Sequence, residues 1–183
     1  MQPSPPASAS HSASAVVSAR PATPPERLAA ALASLHAAND FETKVTVDGK
    51  IAVSSAGRSI AGGTQLTVIT SGKTVEYIQL PPQAWARQAG GSWVLITVDQ
   101  APGSPLGVLA GPTTLLVDPS NPAGLVATYP AVQLGLTGGP VTVTITLGAA
   151  VTFHYEATTG GHKTVSETTV RPSTNLAPIK API

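Results

Sequence analysis

The sequence predicts an α+β fold in which an antiparallel sheet packs on one N-terminal helix and on a proline-bounded apolar segment. Three observations lead to this prediction. A capped helical pattern begins near residue 24, apolar residues alternate with polar ones along much of the chain after residue 41, and an apolar run from 105 to 119 is bracketed by prolines. Alternation with period two is typical of a half-buried strand, and spacing of three and four is typical of a helix.

Residues 1–23 are predicted to be a disordered tether that precedes a single sheet-rich domain over residues 24–183. The segment consists mainly of Ser, Ala and Pro and has no apolar periodicity. Such a composition cannot bury enough surface to offset the entropy of ordering. Its early prolines favour an extended spacer. No apolar run follows Met1, so no signal peptide is visible.

The predicted helix begins with a capping box at residues 23–26, where Thr23 caps the helix and Glu26 occupies its third position. The apolar residues that follow at helical spacing are Leu28, Ala31, Leu32 and Leu35. Alanines extend the pattern to Ala38, and the next two residues, Asn39 and Asp40, supply a stop.

The strand signal is clearest from Val141 to Leu147, where threonines separate the apolar residues. It continues through Val151, Phe153 and Tyr155 after a turn at residues 148–150. Weaker alternation occurs over residues 45–53 and 66–68. This pattern predicts an antiparallel sheet with one apolar face and one threonine-rich, wet face.

Two segments, Val75–Leu80 and Trp93–Val98, carry apolar residues at consecutive positions. They are therefore predicted to be central strands covered on both faces. The run from Leu106 to Val117 is apolar, but prolines 105, 112 and 119 interrupt it. It is predicted to be a short helical or irregular segment lying against the edge or mouth of the sheet.

The composition argues against several classes of function. The chain has 183 residues, a formal net charge of +1 and only 10% charged residues. Its basic residues are scattered singly, so it lacks the basic patch that nucleic-acid binding needs. The absence of cysteine excludes disulfides, thiolate zinc sites and a cysteine nucleophile. The uncharged stretch 119–153 is broken by prolines and glycines, so no transmembrane helix is predicted.

No catalytic or metal motif is found. Residues 71–74 resemble the end of a phosphate-binding loop, but Thr67 stands where that motif needs glycine and a strand pattern follows. A hairpin turn is the better interpretation. The four histidines are predicted to face solvent; they are His11, His36, His154 and His162. No Gly-x-Ser-x-Gly elbow occurs. We therefore expect a protein that is not an enzyme and that has no cofactor and no metal.

The segment Tyr77-Ile78-Gln79-Leu80-Pro81, followed by Gly90-Gly91-Ser92-Trp93, resembles a stretch of the actinobacterial envelope lipoproteins of the LppX and LprG kind. A threonine-rich strand at 64–70 precedes it and the proline-bounded segment at 105–119 follows, while residues 169–182 resemble the family's closing strand. The resemblance implies an open half-barrel, like that of the LolA lipoprotein carrier, wrapped around helices and holding acyl chains of envelope lipids.

The same resemblance implies a location in the cell envelope, outside the cytoplasm. In that family a lipidated cysteine anchors the protein to the membrane, and a tether like residues 1–23 follows it. This sequence contains no cysteine. The implied partners are thus a lipid or other apolar molecule and, through the N-terminal anchor, a membrane.

The candidate ligand-binding residues are apolar side chains expected to face a pocket between the sheet, the helix and the loop; they are Leu32, Leu35, Leu66, Val68, Tyr77, Leu109, Val143, Ile145, Phe153 and Tyr155. Alanines on the helix leave a thin layer, so the core closes only if loop 104–117 folds over it or a ligand fills the gap. Alternatively, helix and loop pack the sheet fully, giving a structural or partner-binding envelope module without a ligand. A small hydrolase is a third hypothesis.

Trp85 and Trp93 flank the glycine pair at 90–91. As a structural pair they would hold a hairpin together by cross-strand packing. As a functional pair they would line a pocket mouth or contact a membrane interface.

Overall fold

The computed structural model describes residues 21–109 and 111–182. Most of the predicted tether, residues 1–20, and His11 within it lie outside the described residues. The one α-helix among the described residues, α1, spans Pro24–Ala33. Its predicted capping box is confirmed, because Glu26 N donates to Thr23 Oγ1 at 3.4 Å and Thr23 N donates to Glu26 Oε2 at 2.7 Å.

The predicted extension of the helix to Ala38 is wrong. Ser34 is the C-terminal cap, and Ala38 is already the first residue of a strand. The last turn tightens, with Leu35 N donating to the carbonyl of Leu32 at 3.0 Å. Asn39 was predicted to stop the helix, but it is instead a buried strand residue whose side chain binds the carbonyl of Leu35. Helix propensity therefore yields to tertiary pairing here.

The part of the chain that the structure describes contains eleven strands: β1 (Ala38–Val47), β2 (Lys50–Ile60), β3 (Gly63–Thr70), β4 (Lys73–Leu80), β5 (Gln83–Gln88), β6 (Val94–Ile96), β7 (Thr114–Asp118), β8 (Asn121–Tyr129), β9 (Val141–Thr146), β10 (Val151–Thr159) and β11 (His162–Pro172). They form one antiparallel sheet in the order β6-β5-β4-β3-β2-β1-β11-β10-β9-β8-β7. The first and last strands are thus neighbours in the middle, and the sheet is open, with β6 and β7 at its edges. The predicted α+β class with an antiparallel sheet is confirmed at this level.

One face of the sheet carries the core. Phe41 on β1 lies opposite Val170 on β11, and Phe153 on β10 lies opposite Ile145 on β9. All four side chains are buried, whereas Glu42 and Thr142, which point to the other face, are exposed. We call these the core face and the outer face. The predicted alternation over residues 141–147 follows from this division.

The two segments with apolar residues at consecutive positions, Val75–Leu80 and Trp93–Val98, lie in different parts of the sheet. β4 lies inside the sheet and buries Ile78 on the outer face, where Trp85 is its cross-strand neighbour. The prediction that Trp93–Val98 is a central, doubly covered strand is wrong. Only three of its residues form β6, at the edge of the sheet, and two of these, Val94 and Leu95, are 60% and 61% exposed. Consecutive apolar residues here do not reflect burial.

The proline-bounded segment is partly as predicted. A 3-10 turn at Pro105–Gly107 contacts β11 in the middle of the sheet, not its edge. Residues 114–118 are not irregular but form the edge strand β7, because Pro112 ends the irregular part and Thr113 N then pairs with the carbonyl of Thr128 at 2.7 Å.

The chain does not end in a strand over residues 169–182 as the resemblance implied. β11 ends at Pro172, and an irregular segment follows. It returns to the sheet at Ile179, which is buried. A Cβ added at Gly63 would lie 3.5 Å from the Cβ of Ile179. Among the described residues, no helix is long and apolar enough to cross a membrane.

Candidate functional site: an apolar groove beside the helix

An apolar groove of about 460 Å³ runs between α1 and the start of the edge strand β7. None of the ten residues that line it is charged. They are Pro25, Leu28, Ala29 and Leu32 from the helix, Leu109, Gly111 and Pro112 from the proline-bounded segment, and Thr113, Thr114 and Leu115 at β7. Because β7 has no strand beyond it, the groove lies at the open edge of the sheet.

The groove owes its width to small side chains on the helix. Leu28 is buried in the core, while Ala29, one position on, is exposed and presents only a methyl group to the groove. Arg27 ties the helix to the start of β8, because its Nη2 donates to the carbonyl of Pro122 at 2.9 Å. Across the groove, Gly111 has φ of 73°, a left-handed conformation that glycine adopts without steric cost.

All ten predicted site residues gather at the core face. Six belong to one buried cluster: Leu35, Leu66, Leu109, Val143, Ile145 and Phe153. The other four, Leu32, Val68, Tyr77 and Tyr155, are half-buried and pack against that cluster. The prediction that they share one apolar surface agrees with this arrangement, while their binding of a ligand stays a prediction.

The ten residues divide by their relation to the groove. Leu32 and Leu109 line it. Ile145 has no exposed surface and Val143 has 1%, so both are surrounded by protein atoms. Leu66 adjoins a different depression, of about 350 Å³, next to Arg58 and Arg171. Leu28 and Leu109 belong both to the groove lining and to the buried cluster, so the cluster lies under the groove. We call the residues that the sheet contributes to this cluster the floor of the site.

Several groove residues were not among the sequence-predicted ones: Pro25, Leu28, Ala29 and residues 111–115. Leu28 shares its helical spacing with Leu32, so that periodicity could have identified it. Nothing in the sequence distinguishes Ala29 from the other alanines of the helix. Its place at the groove depends on how the helix lies on the sheet.

The segment Ser104–Leu109, which we call the strap, crosses the core face. Leu109 is 1% exposed and Leu106 packs against the core. Two side chains hold consecutive strap carbonyls. The phenol of Tyr129 donates to the carbonyl of Leu109 at 3.2 Å, and Gln133 Nε2 donates to that of Val108 at 2.9 Å. Tyr129 is fully buried, and burial raises its pKa to about 12.

The middle of the core face is polar. Ser55, Thr43 and Thr168 are register neighbours on β2, β1 and β11, and Ser166 lies two residues from Thr168. We call these four the hydroxyl row. Thr43 Oγ1 and Thr168 Oγ1 are 3.0 Å apart and share a hydrogen bond. Ser166 and Thr168 are 5% and 4% exposed, on the strand that the strap contacts.

Two histidines of the sheet are paired with carboxylates at the surface. His162 Nδ1 is 2.7 Å from Asp48 Oδ2, and this hydrogen bond lowers the pKa of Asp48. His154 lies 3.9 Å from Glu156 and from Glu167, with 44% of its side chain exposed. Over residues 21–109 and 111–182, no three His, Asp or Glu side chains come together in a way that could hold a metal ion.

The two tryptophans do not pack on each other across the strands. Trp85 lies opposite Leu95 in the register of β5 and β6. Trp93, which precedes β6, instead receives the guanidinium of Arg87 at 4.6 Å from its ring centroid, while Arg87 is also paired with Glu76 at 2.6 Å. The predicted pairing of the two tryptophans is thus not found, and the contact that Trp93 makes in this hairpin is a cation–π interaction with Arg87.

No protein-family description matches this chain, and no curated protein resembles its sequence. The resemblance to the envelope lipoproteins therefore rests on the short motifs around Tyr77 and Trp93 and on the segments that flank them.

Proposed function

We propose that this domain binds a lipid or another apolar molecule in the groove between α1 and β7. The observation that carries the proposal is the uncharged lining of a groove of about 460 Å³. Small-molecule sites are concave, mostly apolar and roughly 300–1,000 Å³ in volume. An acyl chain would gain about 0.8 kcal/mol for each methylene that leaves water.

Two of the ten residues that line the groove are polar, Thr113 and Thr114, which suits a ligand with one polar end. The hydroxyl of Thr114 donates to Thr128 Oγ1 at 2.8 Å, and Thr128 is the register neighbour of Thr142 on the outer face, so this hydroxyl points away from the core face. Thr113 is exposed and lies beside Pro112. A carboxylic acid or an ester could place its head beside Thr113 and its chain along Leu28 and Leu32.

We further propose that the domain is an envelope lipoprotein that carries or transfers such a molecule. An open antiparallel sheet with one helix on its core face supports the comparison with a LolA-like half-barrel. The Ser/Ala/Pro composition of residues 1–23 supports a tether to a membrane anchor. The proposal involves no chemical step by the protein.

The test is to fill the groove. We expect the wild-type chain to bind parinaric acid, a fluorescent fatty acid, in a titration. Ala29→Trp places an indole in the groove and should lower the affinity at least tenfold. Ala30→Trp is the matched control, because Ala30 is also exposed on α1 but does not line the groove. Equal affinity in all three proteins, or none in the wild type, would rule out the groove as a fatty-acid site.

The alternative function is a structural or partner-binding envelope module without a ligand. Exposed apolar side chains on both edge strands favour it: Leu116 of β7 is 65% exposed, and Leu95 of β6 is 61% exposed. Proteins usually protect such edges with charge or proline, because unpaired edges recruit other strands. If Leu116→Lys abolishes association of the chain with other envelope proteins, and parinaric acid does not bind, this alternative replaces the first proposal.

A further inference from the structure

We infer that the strap Ser104–Leu109 is a gate that lifts to admit the bound molecule, and that Tyr129 and Gln133 are its latch. This inference rests on the function proposed above. Leu106 and Leu109 of the strap pack against the core. The two side chains that donate hydrogen bonds to strap carbonyls, Tyr129 and Gln133, lie next to each other, at the end of β8 and in the turn after it.

The latch consists of two donors that act on neighbouring carbonyls. Tyr129 is the last residue of β8, and Gln133 lies in the 3-10 turn Ala131–Leu134 that follows directly. Their targets, the carbonyls of Leu109 and Val108, are consecutive along the strap. Releasing both bonds frees the C-terminal end of the strap without breaking any pairing between strands.

Few backbone bonds hold the strap to itself. Its inner residues form a 3-10 turn, with Val108 N donating to the carbonyl of Pro105 at 3.1 Å and Leu109 N to that of Leu106 at 3.2 Å. Gly103 precedes the strap, and a Cβ there would meet no heavy atom within 4 Å. Hydrogen bonds of a 3-10 turn are weaker than those of an α-helix, so we expect this turn to open when the strap lifts and to expose the amides of Val108 and Leu109 to exchange.

Lifting the strap would connect two surfaces that it now separates. On one side lies the groove, to which the strap contributes Leu109. On the other lies the hydroxyl row, whose Ser166 and Thr168 belong to the strand that the strap contacts. A molecule entering the groove could then reach the sheet beneath the strap.

The first measurement is amide hydrogen exchange of the full chain without ligand, read at Val108 and Leu109. Tyr129→Phe removes only the phenolic hydroxyl, and Gln133→Met keeps the length of the side chain without the donor. Each should raise exchange at these amides about fivefold, the population change that corresponds to ~1 kcal/mol for one neutral hydrogen bond. Ser173→Ala is the control, since its hydroxyl bonds Asp40 at 2.9 Å and no residue of the strap.

The second measurement is stopped-flow binding of parinaric acid. If the strap must lift before the probe can enter or leave, the population of the lifted strap limits both the association rate and the dissociation rate. The latch variants should therefore bind and release the probe about fivefold faster, and the Kd, which is the ratio of the two rates, should stay unchanged. A merely structural contact would alter the Kd or leave the association rate as in the wild type, and would overturn the inference. Faster exchange with unchanged binding rates would overturn the gate but leave the groove intact. Failure of the wild type to bind the probe would instead overturn the proposed function, and the gate with it.

Discussion

The side-chain amide of Asn39 donates a hydrogen bond to the backbone carbonyl of Leu35 at 3.0 Å, and both residues are almost fully buried. The bond joins the turn after α1 to the first residues of β1. It supplies a partner for the carbonyl of Leu35, which lies in the turn after the C-cap Ser34, and a buried carbonyl needs such a partner. The direction in which the chain leaves the helix and enters the sheet is fixed here.

Replacing Asn39 by alanine should therefore destabilise the fold. The carbonyl of Leu35 would lose this donor in a buried setting, which costs about 1–3 kcal/mol. The free energy of unfolding from urea titration measures the loss. Asn175→Ala is the control, because Asn175 is exposed and its side-chain oxygen accepts only a local hydrogen bond, from Ala177 N at 3.1 Å. An Asn39→Ala protein as stable as the wild type would show that the Leu35 carbonyl finds another partner.

Gly57 provides a second prediction about stability. It lies on β2 between Phe41 of β1 and Leu66 of β3, and a Cβ there would come within 2.8 Å of the Phe41 ring and 2.5 Å of the Gln65 carbonyl oxygen. Gly57→Ala should overpack the core face and cost about 1–3 kcal/mol. Gly139→Ala, where no heavy atom lies within 4 Å, should change the stability by less than about 0.5 kcal/mol. Equal thermal midpoints for the two variants would contradict the packing around Gly57.

Ile145 tests whether the floor of the site is solid. It is fully buried on β9, opposite Phe153 on one side and Leu125 on the other. We expect Ile145→Trp to lower the free energy of unfolding by about 1–3 kcal/mol, because a packed core does not accept the added volume. Thr142→Trp, on the outer face of the same strand, is the control. If Ile145→Trp is as stable as the wild type and takes up less lipid, the floor is hollow and the ligand lies deeper than the groove.

The local features of this fold could be predicted from the sequence. The capping box at Thr23 and the turn at Ser71 and Gly72 depend on neighbouring residues only, and both occur where expected, the turn residues having φ of 49° and 73°. The alternation from Val141 also predicts which side chains face the core. These features do not depend on which strands are paired.

The order of the strands and the shape of the site could not be predicted in this way. The end of α1 is set by the pairing of Ala38 and Asn39 with β2 and β11, and the edge position of β6 is not encoded by Val94 and Leu95, which resemble core residues. The apolar face was predicted because burial leaves a periodic pattern. The groove was not, because it is a gap beside Ala29, and a gap depends on how elements pack.

The pH dependence of stability offers a test of the buried latch residue. Burial raises the pKa of Tyr129 to about 12, from about 10 for an exposed tyrosine. The neutral phenol is therefore favoured in the folded state, and the corresponding stability is complete below pH 10 and is lost as the pH rises towards 12. In that window the unfolded chain releases the proton first, so the free energy of unfolding should fall by up to about 1.4 kcal/mol per pH unit from this group.

Tyr129→Phe should remove this part of the slope, while Tyr155→Phe, on a half-buried residue, serves as the matched control. Urea titrations between pH 9 and 12, as a difference from the wild type, provide the measurement. Parallel slopes for the wild type and Tyr129→Phe would show that the phenol reaches solvent, so that the strap does not close over it.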